Sequence, residues 1–227
     1  MKNAGRSDSF AGNGSDPRVS LFEDIHVVKL GTDFEQLAHE EGFRFVAGID
    51  EVGRGCIAGP VVAGACILDL TKPLPEGLND SKKLTAKQRD EIAAELKETV
   101  IAYSIGRVDA EEIDRINILE ATKVAMRQAI SALRPAADYL LIDALQLKGT
   151  PVPQRAIIKG DAVSASIAAA SILAKTFRDE LMTAYDADFP QFGFAGHKGY
   201  GCRTHYDAIR DHGPCILHRK TFRGVIQ

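Results

Sequence analysis

Apolar and polar positions along this chain fall into blocks that switch repeatedly between strand and helix periods. Phe43, Phe45, Val46 and Ile49 make one apolar run and Pro60 to Leu68 another, and both read as buried strands. Ahead of the first, Asp33 is placed to cap a short helix carrying Phe34 and Leu37. A Pro/Gly-rich turn follows the second and ends in Asn79-Asp80-Ser81-Lys82-Lys83-Leu84. Thr85-Ala86-Lys87-Gln88 then matches a capping box, with Ile92, Ala93 and Leu96 on one helical face. Thr99 to Ile105 predicts a third strand. Asn117 with Glu120 opens another helix, whose Thr122, Ala125, Met126, Ala129 and Leu133 keep helical spacing until Pro135 stops it. Tyr139-Leu140-Leu141-Ile142, ending at Asp143, suits a central strand, and Val152 to Ile158 is a fifth. Gly160-Asp161 opens a long alanine-rich helix with Ile167, Ala170, Ala174, Phe177 and Leu181 as its inner face; small residues there allow close packing on a sheet.

Strands alternating with helices in this way imply an α/β fold, and the hairpin-like first pair suggests a mixed sheet. Residues 1–20, rich in Gly, Ser, Asn and Asp, read as a disordered leader, and residues 21–227 as one domain. With 227 residues, 45% of them hydrophobic and 26% charged, the chain is long enough for a full core. No apolar run approaches the ~20 residues of a membrane span, and the start lacks a secretory signal, so a soluble, cytoplasmic protein with no membrane partner is expected. Cys56, Cys66, Cys202 and Cys215 show no C-x-x-C spacing, which argues against a zinc site or a disulfide framework.

The acidic positions change the picture from architecture to chemistry. In Gly48-Ile49-Asp50-Glu51-Val52-Gly53-Arg54-Gly55, two adjacent carboxylates end an apolar segment and run into a glycine-flanked arginine. An Asp-Glu pair alone is usually a solvated strand end, and Gly-Arg-Gly alone a turn. Asp143 also ends a strand, and Asp161 starts the helix after the fifth, so four carboxylates stand at element ends on one edge of the sheet. Adjacent strand residues point to opposite faces, so Asp50 and Glu51 share a site only if the strand ends or bulges there. Clustered carboxylates without His or Cys partners select hard cations, Mg²⁺ or Mn²⁺, and two such ions can drive phosphodiester cleavage. The net charge of −3 does not by itself suggest a nucleic-acid partner. From Gly196 to Gly224, however, Lys198, Arg203, Arg210, Arg219, Lys220 and Arg223 face only Asp207 and Asp211, and Tyr200 and Phe222 interleave with them. That pattern reads as a surface tracking a nucleic-acid backbone with a stacking ring.

These residues resemble bacterial ribonuclease HII. The resemblance rests on Gly48 to Gly55 with Ala58-Gly59-Pro60-Val61-Val62, on Asp80-Ser81-Lys82-Lys83-Leu84, on Lys159-Gly160-Asp161 with Ser164 to Lys175, and on Gly199-Tyr200-Gly201 with His205. It implies a ribonuclease H-like fold, a mixed five-stranded sheet flanked by helices with a C-terminal helical segment. The implied activity is endonucleolytic hydrolysis of the RNA strand of RNA–DNA hybrids, with nicking on the 5′ side of single ribonucleotides embedded in duplex DNA. Products carry 3′-hydroxyl and 5′-phosphate ends, which places the activity in ribonucleotide excision repair and DNA replication. By the same resemblance Asp50, Glu51, Asp143 and Asp161 are the catalytic, metal-binding acids. Gly53, Arg54 and Gly55 read the ribonucleotide, Lys82 and Lys83 contact phosphates, and Tyr200 packs on the sugar at the RNA–DNA junction. The partners implied are the hybrid and the ribonucleotide-containing duplex; a replication clamp is left open, and a monomer is expected.

The chain departs from that family's pattern at three positions: Cys56 where proline is usual, Ala144 where glycine is common, and Cys202 where threonine is usual. The alternative from another class is a catalytically silent nucleic-acid-binding module, which predicts loss of at least one acid; all four are present. A small-molecule enzyme using Gly53-Arg54-Gly55 as an anion loop lacks the usual phosphate-loop signatures. The leader is too short for the extra domain of the related ribonuclease HIII.

Overall fold

The computed structural model describes residues 29–226, so the leader expected over residues 1–20 lies outside the described residues. Among the described residues, β1 (Val46–Val52), β2 (Val61–Ile67), β3 (Ala102–Val108), β4 (Tyr139–Asp143) and β5 (Gln154–Ile157) form a five-stranded sheet ordered β3-β2-β1-β4-β5. The β1–β2 and β2–β3 pairs are antiparallel, whereas β1–β4 and β4–β5 are parallel. The mixed sheet expected from the pattern is the sheet observed. Because β1, β4 and β5 run the same way, their carboxyl ends open on one crevice, the usual ligand edge of a parallel α/β sheet.

The helices are α1 (Asp33–Glu40), α2 (Ala86–Thr99), α3 (Ala110–Ile116), α4 (Ile118–Ala132), α5 (Ala165–Asp188), α6 (Phe194–His197) and α7 (Arg203–His212). On one face Ala47, Ile49, Ala63 and Ala65 bury against Ala121, Ala125, Met126 and Ala129 of α4. On the other, Cys66 and Leu68 pack with α2 and with Ala169, Ala170, Ile172 and Leu173 of α5. Glycine is what lets α5 sit so low: a Cβ at Gly48 would lie 2.1 Å from the Ser166 carbonyl carbon, and one at Gly64 would lie 2.3 Å from the Ala170 oxygen. Both clashes are with backbone, so a side chain at either position would lift the helix.

Several boundaries differ from the pattern's expectation. Thr32, not Asp33, is the N-cap of α1, and Asp33 occupies the first turn, where its charge complements the helix dipole. α2 keeps its capping box but runs on to Thr99, so β3 begins at Ala102, where pairing with Ile67 sets its register. Asp161 does not open the long helix. It lies in a 3₁₀ turn, Gly160–Ala162, and α5 starts at Ala165 with the Ser164 hydroxyl accepting from the Ile167 N–H. The inner face of α5 runs through Ile167, Ala170 and Ala174 as expected, but Phe177 and Leu181 are only half-buried. Beyond the sheet's edge the helix packs on the C-terminal segment instead, and Arg178 and Met182 take the buried places. α3, short and acidic, carries too little apolar periodicity to be anticipated.

Candidate active site

The carboxylate edge is built by register. Strand β1 does not bulge at its acids and ends only one residue past them, at Val52: Asp50 pairs with Gly64, Glu51 with Ala63 and Val52 with Val62, so the shared edge comes from the strand end and from the neighbour that stops short. The neighbour on the other side is what stops, since β1–β4 pairing reaches only Ile49↔Ile142. Both acids therefore stand where β1 has lost β4 beside it. Alternation puts Asp50 with Gly48 on the α5 face and Glu51 with Ala47 and Ile49 on the α4 face. Asp143, the last residue of β4, lies between them and β5, and its Oδ1 accepts from the Gly160 N–H at 2.7 Å. That bond ties β4 to the turn carrying Asp161. The same turn is fixed from behind by Glu35 of α1, whose Oε1 accepts from the Ser164 and Ser166 hydroxyls, each at 2.6 Å, at the start of α5.

Burial makes negative charge on this edge costly without a cation. Asp50 is only 4% exposed, and burial, then the charges of Glu51 and Asp143, push its pKa up to about 8 against the pull of the Ser171 hydroxyl. Burial raises Glu51 as well, opposed by Arg54, whose Nη1 donates to Oε1 at 3.1 Å. Asp143 is raised by burial and by the charge of Asp161. Lys82 donates from Nζ to Asp161 Oδ2 at 3.1 Å; burial works against its charge, but Asp161 holds its ammonium above the ordinary range. The four acids thus share one field.

They do not form a closed cage: among the described residues no group of three or more His, Cys, Asp or Glu is gathered so as to hold a metal ion. Arg54 draws Glu51 one way, Lys82 holds Asp161 another, and the Gly160 amide holds Asp143. Glu51 Oε2 nevertheless stays buried with no hydrogen-bond partner. An orphaned buried carboxylate oxygen, beside an acid whose ionisation its neighbours suppress, is a donor set that a hard divalent cation fits.

The remaining expected residues surround this edge unevenly. Lys82 and Lys83 are exposed in a 3₁₀ turn capped by the Asp80 side chain, which accepts from the Lys82 N–H at 2.9 Å. Gly53, at φ +86, begins the loop after β1, and Arg54 and Gly55 are exposed on it. Tyr200 is 44% exposed, with Lys175 Nζ 5.8 Å from its ring centre. His205 does not face solvent. Its Nδ1 lies 2.9 Å from the Tyr200 carbonyl and its Nε2 lies 3.1 Å from His218 Nε2. The C-terminal segment departs most from expectation. Arg219 is fully buried, Arg203 and Arg210 pair with Asp207, and Phe222 packs inward under the Arg219 guanidinium. The tail is therefore no continuous exposed basic strip.

A family model for ribonuclease HII matches residues 47–225. The chain belongs to the ribonuclease HII family. A ribonuclease HII of Syntrophotalea carbinolica is 53% identical over 192 residues, covering 85% of this chain and 91% of that protein. Among solved structures, ribonuclease H2 of Pyrococcus horikoshii is similar at a TM-score of 0.67 and 28% identity, over 80% of this chain and 95% of that one. Ribonuclease HII of Archaeoglobus fulgidus, solved in complex with PCNA, is similar at 0.65 and 25%, over 79% and 96%. The chain is accordingly an enzyme, a hydrolase of the ribonuclease H type with the ribonuclease H fold.

Within that family frame the three departures acquire physical content. Ala144 adopts φ +49, a left-handed conformation that glycine takes without strain, which accounts for the glycine common there. Cys202 is the N-cap of α7 but makes no side-chain cap bond. Cys56 is fully buried below Tyr200, with Sγ 3.8 Å from the Lys198 carbonyl. Sequence reasoning passed over Ser171, which bonds Asp50 and meets Ser81 Oγ at 2.9 Å, although the polar serines of an otherwise apolar helix were the available signal. Arg178, Arg219 and His218 gave no such signal, because each residue type is ordinarily a surface one.

Proposed function

We propose that this ribonuclease HII-family enzyme hydrolyses the RNA strand of RNA–DNA hybrids and nicks duplex DNA on the 5′ side of a single embedded ribonucleotide. The observation that carries the reading is the shared field of Asp50, Glu51, Asp143 and Asp161 at the carboxyl ends of β1, β4 and the turn after β5, with Glu51 Oε2 left unpartnered. Those four side chains would hold Mg²⁺ or Mn²⁺. Bound there, the ions supply a polarised phosphate and an activated water, the two-metal chemistry of phosphodiester hydrolysis.

The chain's own groups do the positioning. Lys82 and Lys83, on a turn rigidified by Asp80, meet the phosphate backbone, and Lys82 exchanges its contact with Asp161 for one with substrate as that acid takes up its catalytic role. Gly53, Arg54 and Gly55 read the ribonucleotide: its 2′-hydroxyl is the one group that distinguishes it from its deoxy neighbours, so backbone must approach closely. Tyr200 offers a half-exposed ring, backed by Lys175, to the sugar at the junction.

The test is cleavage of a labelled DNA duplex carrying one ribonucleotide, with Mg²⁺, with Mn²⁺ and with chelator. A metal-dependent nick 5′ of the ribonucleotide, leaving a 3′-hydroxyl, is expected. Binding without a cut under either metal would return the reading to a silent binding module.

A further inference from the structure

Two buried arginines lie behind the loop that follows β1. Arg178 and Arg219 are each 0% exposed, and every hydrogen bond they make goes to a backbone carbonyl. A guanidinium in the interior with no carboxylate hydrogen-bonded to it is an expensive arrangement, eased at Arg219 by the charge of Asp114 nearby. Burial, with the nearby Arg178 charge adding to it, lowers the Arg219 pKa to about 10.

Where those carbonyls lie is informative. Arg178 donates from Nε to Pro60 at 3.0 Å, from Nη2 to Ala58 at 3.1 Å and from Nη1 to Lys198 at 2.8 Å. Arg219 donates from Nε and Nη2 to Gly59 at 3.0 and 2.9 Å, and from Nη1 to Arg54 at 2.9 Å. All but one of these acceptors sit in residues 54–60; the exception is the carbonyl just before Gly199-Tyr200. In a trans peptide the carbonyl and the following N–H point in opposite directions. Drawing the Arg54 carbonyl inward therefore turns the Gly55 N–H outward, at an exposed residue where an added Cβ would have nothing within 4 Å. Gly53 rests directly on Arg178, since a Cβ there would come 2.3 Å from Nε.

We propose that Arg178 and Arg219 are positioning residues that mould the Gly53-Arg54-Gly55 loop so that its Gly55 N–H faces the ribonucleotide, with Arg178 holding the Tyr200 turn in the same frame. The inference rests on the reading of that loop as the ribonucleotide-recognition element. The two interior charges also raise the local potential toward a phosphate, because water does not screen them.

The experiment compares the full-length wild type with Arg219→Lys and Arg178→Lys. Lysine keeps the charge but cannot span Arg54 and Gly59 together. On each protein kcat and KM are measured for a duplex with one ribonucleotide, alongside Mn²⁺ affinity by calorimetry and thermal melting. For Arg219→Lys, KM is expected to rise about tenfold or more, the scale of losing a hydrogen bond to a charged group, with kcat and Mn²⁺ affinity little changed. In metal-free protein the Gly55 amide resonance is expected to shift on adding the duplex to wild type. A wild-type Gly55 amide that does not shift overturns the proposal even if the variants fail to fold. Folded variants with unaltered KM overturn it as well, leaving the proposed function intact. A wild type that cuts no ribonucleotide-containing duplex overturns both.

Discussion

The acid edge and the loop-and-tail region beside it are built by opposite means. At the edge, three carboxylates are placed by strand register and the fourth by a turn locked to Asp143 through the Gly160 amide. In the other region, the loop of residues 53–60, the Tyr200 turn and the C-terminal segment form no strand ladder among the described residues, only an isolated Ala58–His218 bridge and single backbone bonds such as Gly59 N–H to the Leu217 carbonyl and Arg219 N–H to the Ile57 carbonyl. Buried side chains, Arg178, Arg219, His205 and His218, add the rest of the support by bonding backbone carbonyls or one another. Regular structure makes the edge rigid and brings its carboxylates together, suited to holding cations. Irregular backbone exposes the N–H groups and ring that a sugar-phosphate backbone needs.

The largest effect expected from dividing the two regions comes from Asp50→Asn. Asp50, with its pKa near 8, is already protonated at neutral pH without metal, so the amide is a close mimic of the metal-free side chain. Cleavage should fall about a thousandfold or more, equivalent to roughly 4 kcal/mol of transition-state stabilisation. Melting in chelator and duplex binding should stay near wild type, because the loop region is untouched. Turnover at the wild-type rate would remove Asp50 from the metal site.

Gly48→Ala probes the edge's rigidity instead of its chemistry. The new Cβ would meet Ser166 backbone at 2.1 Å with no flexible atom to yield, so α5 must move off the sheet. A destabilisation of about 3 kcal/mol or more is expected by chemical denaturation, with loss of the Asp50–Ser171 contact. A near-neutral result would mean that α5 is not seated by register at all.

The same division explains what could be read from the sequence. The apolar strand runs, the alanines at Ala170 and Ala174, and the acids at strand ends are signals of period and type, and they led to the sheet and to the acid edge, whereas the close approach of α5 at Gly48 and Gly64 appears only in the fold. Ser171 was legible in principle. The loop region was not, because a sequence-based reading takes arginines and histidines as surface groups and Arg219 looks the same as Arg223. Only the fold shows that Arg219 is buried on carbonyls while Arg223 is exposed. The basic count of the C-terminal segment was right, but its meaning depended on burial that no pattern encodes.

Acid titration should separate the regions next. The His218 Nδ1 accepts from the Cys215 N–H at 2.9 Å, so His218 Nε2 carries the proton toward His205 Nε2, and His205 Nδ1–H holds the Tyr200 carbonyl. This relay requires both rings neutral, and burial lowers both pKa values to about 4. Between about pH 4 and 6.5 the unfolded chain binds protons that the folded pair refuses, so these histidines contribute stability that is fully present above pH 6.5 and is lost as pH falls toward 4. Asp50 slopes the other way in metal-free protein, since its raised pKa makes the folded state the better proton binder between about pH 4 and 8. Asp50→Asn removes the largest opposing slope while those of Glu51 and Asp143 remain, so the stability loss between pH 6.5 and 4, by thermal or urea denaturation, should be larger than in the wild type. A loss no larger than the wild type's would show that Asp50 does not oppose the histidines in this range.

The smallest expected effect lies at the helix that carries His205. Cys202 caps α7 with extended backbone, φ −126 and ψ 169, yet its side chain leaves the first-turn N–H groups unbonded and lies 3.1 Å from Thr204 Oγ1. A hydroxyl in that place accepts a backbone bond that a thiol makes poorly. Cys202→Ser is therefore expected to stabilise the protein by about 1 kcal/mol, roughly 2–4 °C in melting temperature for a chain of this size. Because α7 positions His205, and His205 holds the Tyr200 carbonyl, the gain should appear as slower hydrogen exchange at α7 and the Tyr200 turn with no change at the acid edge. Protection gained equally at β1 and β4 would mean that the two regions are one cooperative unit, and that the contrast between register and buried-side-chain support does not divide their stability.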